Sequence, residues 1–167
     1  MQTNISALSA APLEGALVRL VLLTPEELKL VASGGRLDWY ADGYPRQDDS
    51  DAAKMWLRAG EADRVWSVRH VIRRSDGLAV GSIGFFGPPD ENGEAEIGYG
   101  LVESARRQGL ISDAIALSVA AAEAAGARVI AHTAADNLAS QGALLKAGFV
   151  RDDGENEDGE WRYARPA

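Results

Sequence analysis

Apolar positions along the chain fall into short runs of strand length and longer stretches with helical spacing. Residues 16–23 (ALVRLVLL) form a first run. Thr24-Pro25-Glu26-Glu27 then supplies an N-cap, a proline at the first helical position and early acids, which predicts a helix through about Ser33. Residues 34–50 (GGRLDWYADGYPRQDDS) break the rhythm with Gly, Asp, Pro and aromatic residues, and Ser50-Asp51 predicts the cap of a short helix through about Arg58. Between residues 65 and 102 three strand-like runs, WSVRHVIRR, LAVGSIGFF and AEIGYGLV, are separated by turn-forming residues and predict an antiparallel meander. An alanine-rich helix (110–125), a strand (ARVIAHT), a helix (137–146) and a last pair of strands around the acidic turn DDGENEDGE complete the pattern. The order is β-α-α-β-β-β-α-β-α-β-β, an α/β fold with about seven strands in a mixed, mostly antiparallel sheet and about four helices on its faces.

Composition narrows the classes. The 167 residues suit one domain, expected over 16–167, behind a flexible leader over 1–15 whose sequence lacks the basic region and apolar core of a signal peptide. The absence of cysteine excludes disulfides, thiolate metal sites and cysteine nucleophiles, and makes a cytoplasmic location and no metal the expectation. A net charge of −8 disfavours nucleic acid and anionic membranes as partners and favours attraction of cations.

One stretch carries chemistry. In ARRQGLISDAI, residues 105–115, two arginines and a glutamine precede Gly109 at the start of a helix. A helix N-terminus aims unpartnered N–H groups at one point with the helix dipole behind them, and a glycine lets the backbone approach a ligand closely; such turns bind anions, phosphate above all, although arginines ahead of a helix are also ordinary solvated surface. There is no GxxxxGK[ST], and the glycines of GSIGFFG have the wrong spacing for a dinucleotide fingerprint, which removes other phosphate loops. Trp39, Tyr40 and Tyr44 lie in the 34–50 loop either as a ligand wall or as a lid over the core.

The strand EIGYGLV, the turn Arg106-Arg107-Gln108-Gly109, the helix and strand after it, then Asn137-Leu138-Ala139-Ser140 and Lys146-Ala147-Gly148-Phe149, resemble the GNAT superfamily of acyl-CoA-dependent N-acetyltransferases. The similarity is greatest to the branch of Rim-type ribosomal-protein N-terminal acetyltransferases, and it extends from Leu17 to Tyr163. The resemblance implies a sheet splayed at its fourth and fifth strands, with a bulge opening the gap. It places the pantetheine arm of acetyl-CoA along Leu101 and Val102, and the pyrophosphate at the turn residues Arg106, Arg107, Gln108, Gly109, Leu110, Ile111 and Ser112. Asn137 and Ser140 would reach the pantetheine or thioester end. The resemblance also implies a monomer or homodimer. Two positions depart from the motif: Ile111 stands where Gly or Ala is usual, and Leu144 where many members carry a tyrosine that protonates the thiolate, so Ser140, water or another group takes that role.

The activity so implied is direct acetyl transfer from acetyl-CoA to a primary amine, either a protein N-terminal α-amine or a small amino compound; the alternative is an acyl-CoA-binding regulatory module of the same fold without catalysis. Strand alternation puts Glu94, Glu96 and Gly98 on one face and Ala95, Ile97 and Tyr99 on the other. Glu96 is then the first candidate for general base, or else a solvated glutamate, and His132 the second, or else structural. Tyr99 lines the acceptor cleft or fills the core, and Trp39, Tyr40 and Tyr44 are the other candidate substrate contacts. Deprotonating a lysine-like amine at pH 7 costs about 4.6 kcal/mol against about 1 for an α-amine, which leans towards the latter.

Overall fold

The structure, a computed structural model, describes residues 8–166. The first strands are β1 (Leu13–Glu14) and β2 (Val18–Leu22), followed by α1 (Pro25–Ala32) and α2 (Gln47–Trp56). Next come β3 (Arg69–Arg73), β4 (Ala79–Phe85) and β5 (Glu94–Leu101), then α3 (Leu110–Ala124), β6 (Arg128–Thr133), α4 (Leu138–Lys146), β7 (Val150–Glu155) and β8 (Trp161–Ala164). They form one sheet in the order β1-β2-β3-β4-β5-β6-β8-β7, antiparallel except where β6 runs parallel to β5. The order agrees with the expected one, with β1 added as an eighth strand.

Local chemistry explains most boundaries. Thr24 caps α1, accepting from Glu27 N at 3.1 Å, while the Glu27 carboxylate accepts from Thr24 N. α2 starts at Gln47 rather than at Ser50, because Asp49 reaches back to accept from Arg46 N at 2.8 Å and closes the first turn there. The acidic turn near the C-terminus is tighter than expected: β7 continues through Glu155, and Asn156 Oδ1 accepts from both Asp158 N and Glu160 N. Of the expected leader, residues 1–7 lie outside the described residues. Leu8 is buried, and the guanidinium of buried Arg69 donates to the carbonyls of Ser9 and Ala11, so residues 8–14 lie against the sheet.

The sheet buries both faces. Val18, Leu20, Val71, Ile83, Ile97 and Leu101 point to one side, where Ala114, Ile115, Val119 and Ala122 of α3 cover them. On the other side α1, α2 and the loop between them pack Leu28, Val31, Tyr44, Ala53 and Trp56 against the sheet. Burial of these side chains, at about 1.5–3 kcal/mol each, is the main force that holds the helices in place.

β5 and β6 pair over only three positions, Glu94↔Arg128 to Glu96↔Ile130, and then part. The splay is therefore at the fourth and fifth of the expected strands, but no bulge opens it: β5 keeps unbroken register with β4 from Ile97↔Phe85 to Leu101↔Gly81. Divergence of β6, held on its far side by β8, opens the gap instead.

Candidate active site

β5 leads through the 3₁₀ turn Glu103–Ala105 to the start of α3. Arg107 and Gly109 both have positive φ, 64° and 78°, and a non-glycine residue held there costs about 1–2 kcal/mol. Gly109 is the N-cap, and Asp113 N donates back to its carbonyl. The amides of Leu110, Ile111 and Ser112 come before that bond and have no intrahelical acceptor. Arg106 Nε donates to Leu101 O and Gln108 Nε2 to Ser104 O, which brace the turn, while Arg107 is exposed and makes no ion pair among the described residues. Leu110 is buried and Ile111 packs against the core, so both contribute backbone rather than side chain to the mouth of the turn. Asp113 accepts from Leu17 N and Val18 N, which ties this turn to β2.

The backbone of β5 continues the path into the gap. Phe86 N donates to Glu96 O and Val102 N to Val80 O, so the even-numbered residues of β5 turn their hydrogen-bonding groups to β4. Those of Tyr99 and Leu101, beyond the last pairing with β6, turn towards the gap. Of the two expected pantetheine contacts, Val102 thus has its N–H committed to β4, and Leu101 alone keeps an N–H directed into the splay.

A cleft of about 510 Å³ passes through the sheet at this gap. The alternation of β5 divides its wall. Glu96, Gly98 and Gly100 face the side of α2, whereas Ile97 and Tyr99 face the side of α3 and α4. On the α2 side, His132 Nδ1 lies 3.2 Å from Glu96 Oε1 at an angle outside hydrogen-bond geometry, and this buried nitrogen has no other partner among the described residues. Glu94, by contrast, is taken up by Arg162 at 2.8 Å and Arg128 at 3.8 Å, which leaves Glu96 as the carboxylate of this strand without an arginine or lysine partner. On the other side, the hydroxyls of Tyr99 and Ser140 are 2.8 Å apart. Burial raises the Tyr99 phenol above its ordinary value, and the bond with Ser140 offsets part of the rise. Asn137 caps α4 by accepting from Ser140 N at 3.1 Å, which fixes where Ser140 stands.

The α2 end of the cleft is built around an arginine and several carboxylates. Arg46 donates through Nε and Nη2 to the buried Asp49, which also accepts from Ser82 Oγ, and the guanidinium lies against Gly100. Asp48, Asp51 and Glu160 add carboxylates, and Met55, Trp56 and Phe86 add an apolar wall. Its local signals are the acidic pair Asp48-Asp49, the acidic turn that ends at Glu160, an Arg-x-x-Asp spacing across a helix start, and the glycines inside β5, which mark close approach of another group to a strand.

Trp39, Tyr40 and Tyr44, expected to touch substrate, do not line this cleft. They pack edge-to-face around His70, with Tyr40 and Tyr44 buried, because the loop folds down on the sheet instead of projecting over the gap. His70 is held between Tyr44 Oη at 2.7 Å and Glu27 Oε2 at 2.6 Å, and Arg36 donates to the carbonyls of Tyr40, Ala41 and Tyr44. This is a structural cluster that seats α2. Among the described residues no group of three or more His, Asp and Glu side chains is placed to hold a metal ion, and no helix is long and apolar enough to cross a membrane.

Comparison with known proteins agrees with the fold. The N-acetyltransferase YjdG of Bacillus subtilis, itself uncharacterized, is 35% identical over 95 residues, and the match spans 56% of each chain, about half the length of that relative. Among solved structures, the microcin self-immunity acetyltransferase MccE, in complex with acetyl-CoA and AMP, superposes with a TM-score of 0.65 at 16% identity, covering 96% of this chain and 99% of that one. The ribosomal-protein α-N-acetyltransferase RimL, in complex with coenzyme A, gives 0.61 at 17% identity over 93% and 97%. A ribosomal-protein-serine acetyltransferase from Vibrio cholerae gives 0.61 at 17% over 92% and 94%. Residues 18–150 match the acetyltransferase (GNAT) domain model, and the chain belongs to the GNAT family of acetyltransferases.

Proposed function

We propose that this protein transfers an acetyl group from acetyl-CoA directly to a primary amine, with both substrates held in the cleft at once. The supporting observation is the division of one cleft by one strand: a carboxylate and a histidine on the α2 side, a pair of hydroxyls on the α4 side, and between them the backbone of β5, which leads on to the Gly109 turn. The residues fit acetyl-CoA. The amides of 110–112 with Arg107 suit a diphosphate, the gap-facing backbone of Tyr99 and Leu101 suits the amide-bearing pantetheine arm, and bound acetyl-CoA supplies the activated acyl group.

Each of the chain's groups then has work to do. Glu96, with His132 beside it, accepts the proton that the amine must lose and passes it to solvent, since the Glu96 side chain is 32% exposed. A gap-facing N–H of β5 meets negative charge as it develops on the carbonyl oxygen. Holding amine and thioester together removes the entropy cost of a two-substrate encounter, worth up to about 7–11 kcal/mol when alignment is good. Asp48, Asp51 and Glu160 favour an acceptor that arrives as a cation, and the apolar wall of Met55, Trp56 and Phe86 favours one with an apolar body next to the amine. Both a peptide N-terminus and a small organic amine meet that description.

The test is steady-state turnover of Glu96→Gln with a panel of small amines and short peptides. A general base contributes about 10²–10⁴-fold, so kcat is expected to fall by at least about a hundredfold with acetyl-CoA affinity unchanged. Turnover within threefold of the unaltered protein removes Glu96 from the reaction. The alternative, a regulatory module that binds acyl-CoA without transfer, predicts binding and no amine-dependent thiol release by any variant.

A further inference from the structure

The cleft contains an acid that the reaction needs and that helix α4 alone does not supply. When the amine nitrogen bonds to the carbonyl carbon and the carbon–sulfur bond breaks, the electron pair stays on sulfur, and the thiolate needs a hydrogen-bond donor or a proton. Ser140 carries the only side-chain hydroxyl of α4, and Leu144, one turn on, is fully buried. An aliphatic hydroxyl is a poor acid by itself. Tyr99, arriving from β5 on the same side of the sheet, places its phenol 2.8 Å from Ser140 Oγ. A phenol, ordinarily at about 10 and here raised by burial, still lies far nearer to a thiol at about 8.5 than an aliphatic hydroxyl does, so the pair together can do what Ser140 cannot do alone.

We propose that Tyr99 and Ser140 act as one proton donor to the departing thiolate, Tyr99 as the acid and Ser140 as the relay. The inference rests on acetyl-CoA entering from the α3 turn. Sulfur takes the Ser140 hydroxyl proton as Ser140 takes that of Tyr99, and the half-buried phenol is reprotonated from solvent. The proton that a neutral amine loses on attack leaves on the opposite face through Glu96 and balances the one taken by sulfur; an acceptor that arrives as a cation first gives up one further proton, which is the net proton released to solvent. Asn137 serves as a positioning residue: its bond to Ser140 N holds the first turn of α4 so that Oγ faces Tyr99. Burial of Tyr99 keeps the phenol protonated across the neutral range, as a donor requires.

The experiment reads the thiol itself and needs no acceptor amine. Because the chain contains no cysteine, alkylation by iodoacetamide reports on CoA alone. CoA bound to the unaltered protein, to Tyr99→Phe and to Ser140→Ala is alkylated across a pH series, and CoA affinity is measured by calorimetry. A donor to sulfur lowers the thiol's apparent pKa, so each variant is expected to raise it by about one unit, a tenfold smaller thiolate fraction at pH values below the pKa, while calorimetry confirms that CoA is still bound. A ring-fluorinated tyrosine at position 99 keeps the shape and strengthens the acid, and is expected to shift the thiol pKa the opposite way. That reversal does not follow from a merely structural role. An unchanged thiol pKa in both Tyr99→Phe and Ser140→Ala overturns the proposal even if amine transfer is normal. Absence of CoA binding by the unaltered protein overturns it together with the reading of the α3 turn. A shifted thiol pKa with no amine turnover supports the donor pair and counts against the transferase reading alone.

Discussion

Glycines 98 and 100 stand two residues apart on the same face of β5, and the same substitution at the two is expected to have unequal effects. A Cβ on Gly98 would meet the tip of Phe86, at 2.8 Å from Cζ, but that ring is 52% exposed and free to swing away. A Cβ on Gly100 would meet the guanidinium of Arg46, at 2.6 Å from Cζ. That group has no cheap retreat, because its Nε and Nη2 are spent on Asp49, itself 1% exposed. Displacing it removes two of the donors to a buried carboxylate and leaves Arg46 N and Ser82 Oγ. Losing a whole partner from a buried pair costs about 3–5 kcal/mol, and with two donors left the loss is about 2–3 kcal/mol. Restricting the unfolded chain returns about 0.4–1 kcal/mol at either site. Gly98→Ala is therefore expected to be neutral to within about 0.5 kcal/mol, and Gly100→Ala to lose about 2 kcal/mol. Urea denaturation of the two variants at equal slope gives the comparison directly. Equal stability of the two would refute the reasoning, since it would mean that Arg46 is not needed where it lies.

Gly109→Val places a β-branched side chain at a φ of 78°, and acetyl-CoA affinity is expected to fall by at least about thirtyfold in calorimetry while the helical circular dichroism persists. The Glu27 carboxyl is held below its ordinary value of 4.5, first by its bond with His70, against the opposing effect of burial. Its contribution to stability is thus complete above pH 4.5 and is lost as the pH falls through the lower folded value. Glu27→Gln is expected to lower stability at pH 7 and to narrow the gap to the unaltered protein below pH 4, measured by thermal melts; a constant gap across that range would contradict it.

Where chemistry is local, the sequence was a sufficient guide. The cap at Thr24, the Gly109 turn and the period of two along β5, which puts Glu96 and Tyr99 on opposite faces, each depend on residues a few positions apart. The family resemblance supplied the splay. What the sequence did not disclose depends on distant partners. Tyr99 meets Ser140 across 41 positions, and nothing in either neighbourhood encodes that meeting. Trp39, Tyr40 and Tyr44 read equally well as a ligand wall or a lid, and His70 with Glu27 decided for the lid. Asp49 drew α2 back by several residues from Ser50, a side-chain to backbone bond that composition does not reveal. β1, two residues long, is too short to carry a periodicity and exists because β2 offers it an edge.

The most direct measurement is titration of the purified protein with acetyl-CoA followed, in the same sample, by release of free thiol as amines are added. The protein contributes no thiol of its own, so the signal is CoA alone. Binding with one site per chain and amine-dependent release is the result predicted here. Binding without release by any amine would leave a GNAT domain that holds the cofactor without using it, and absence of binding would contradict the assignment of the α3 turn from which the rest of the mechanism is built.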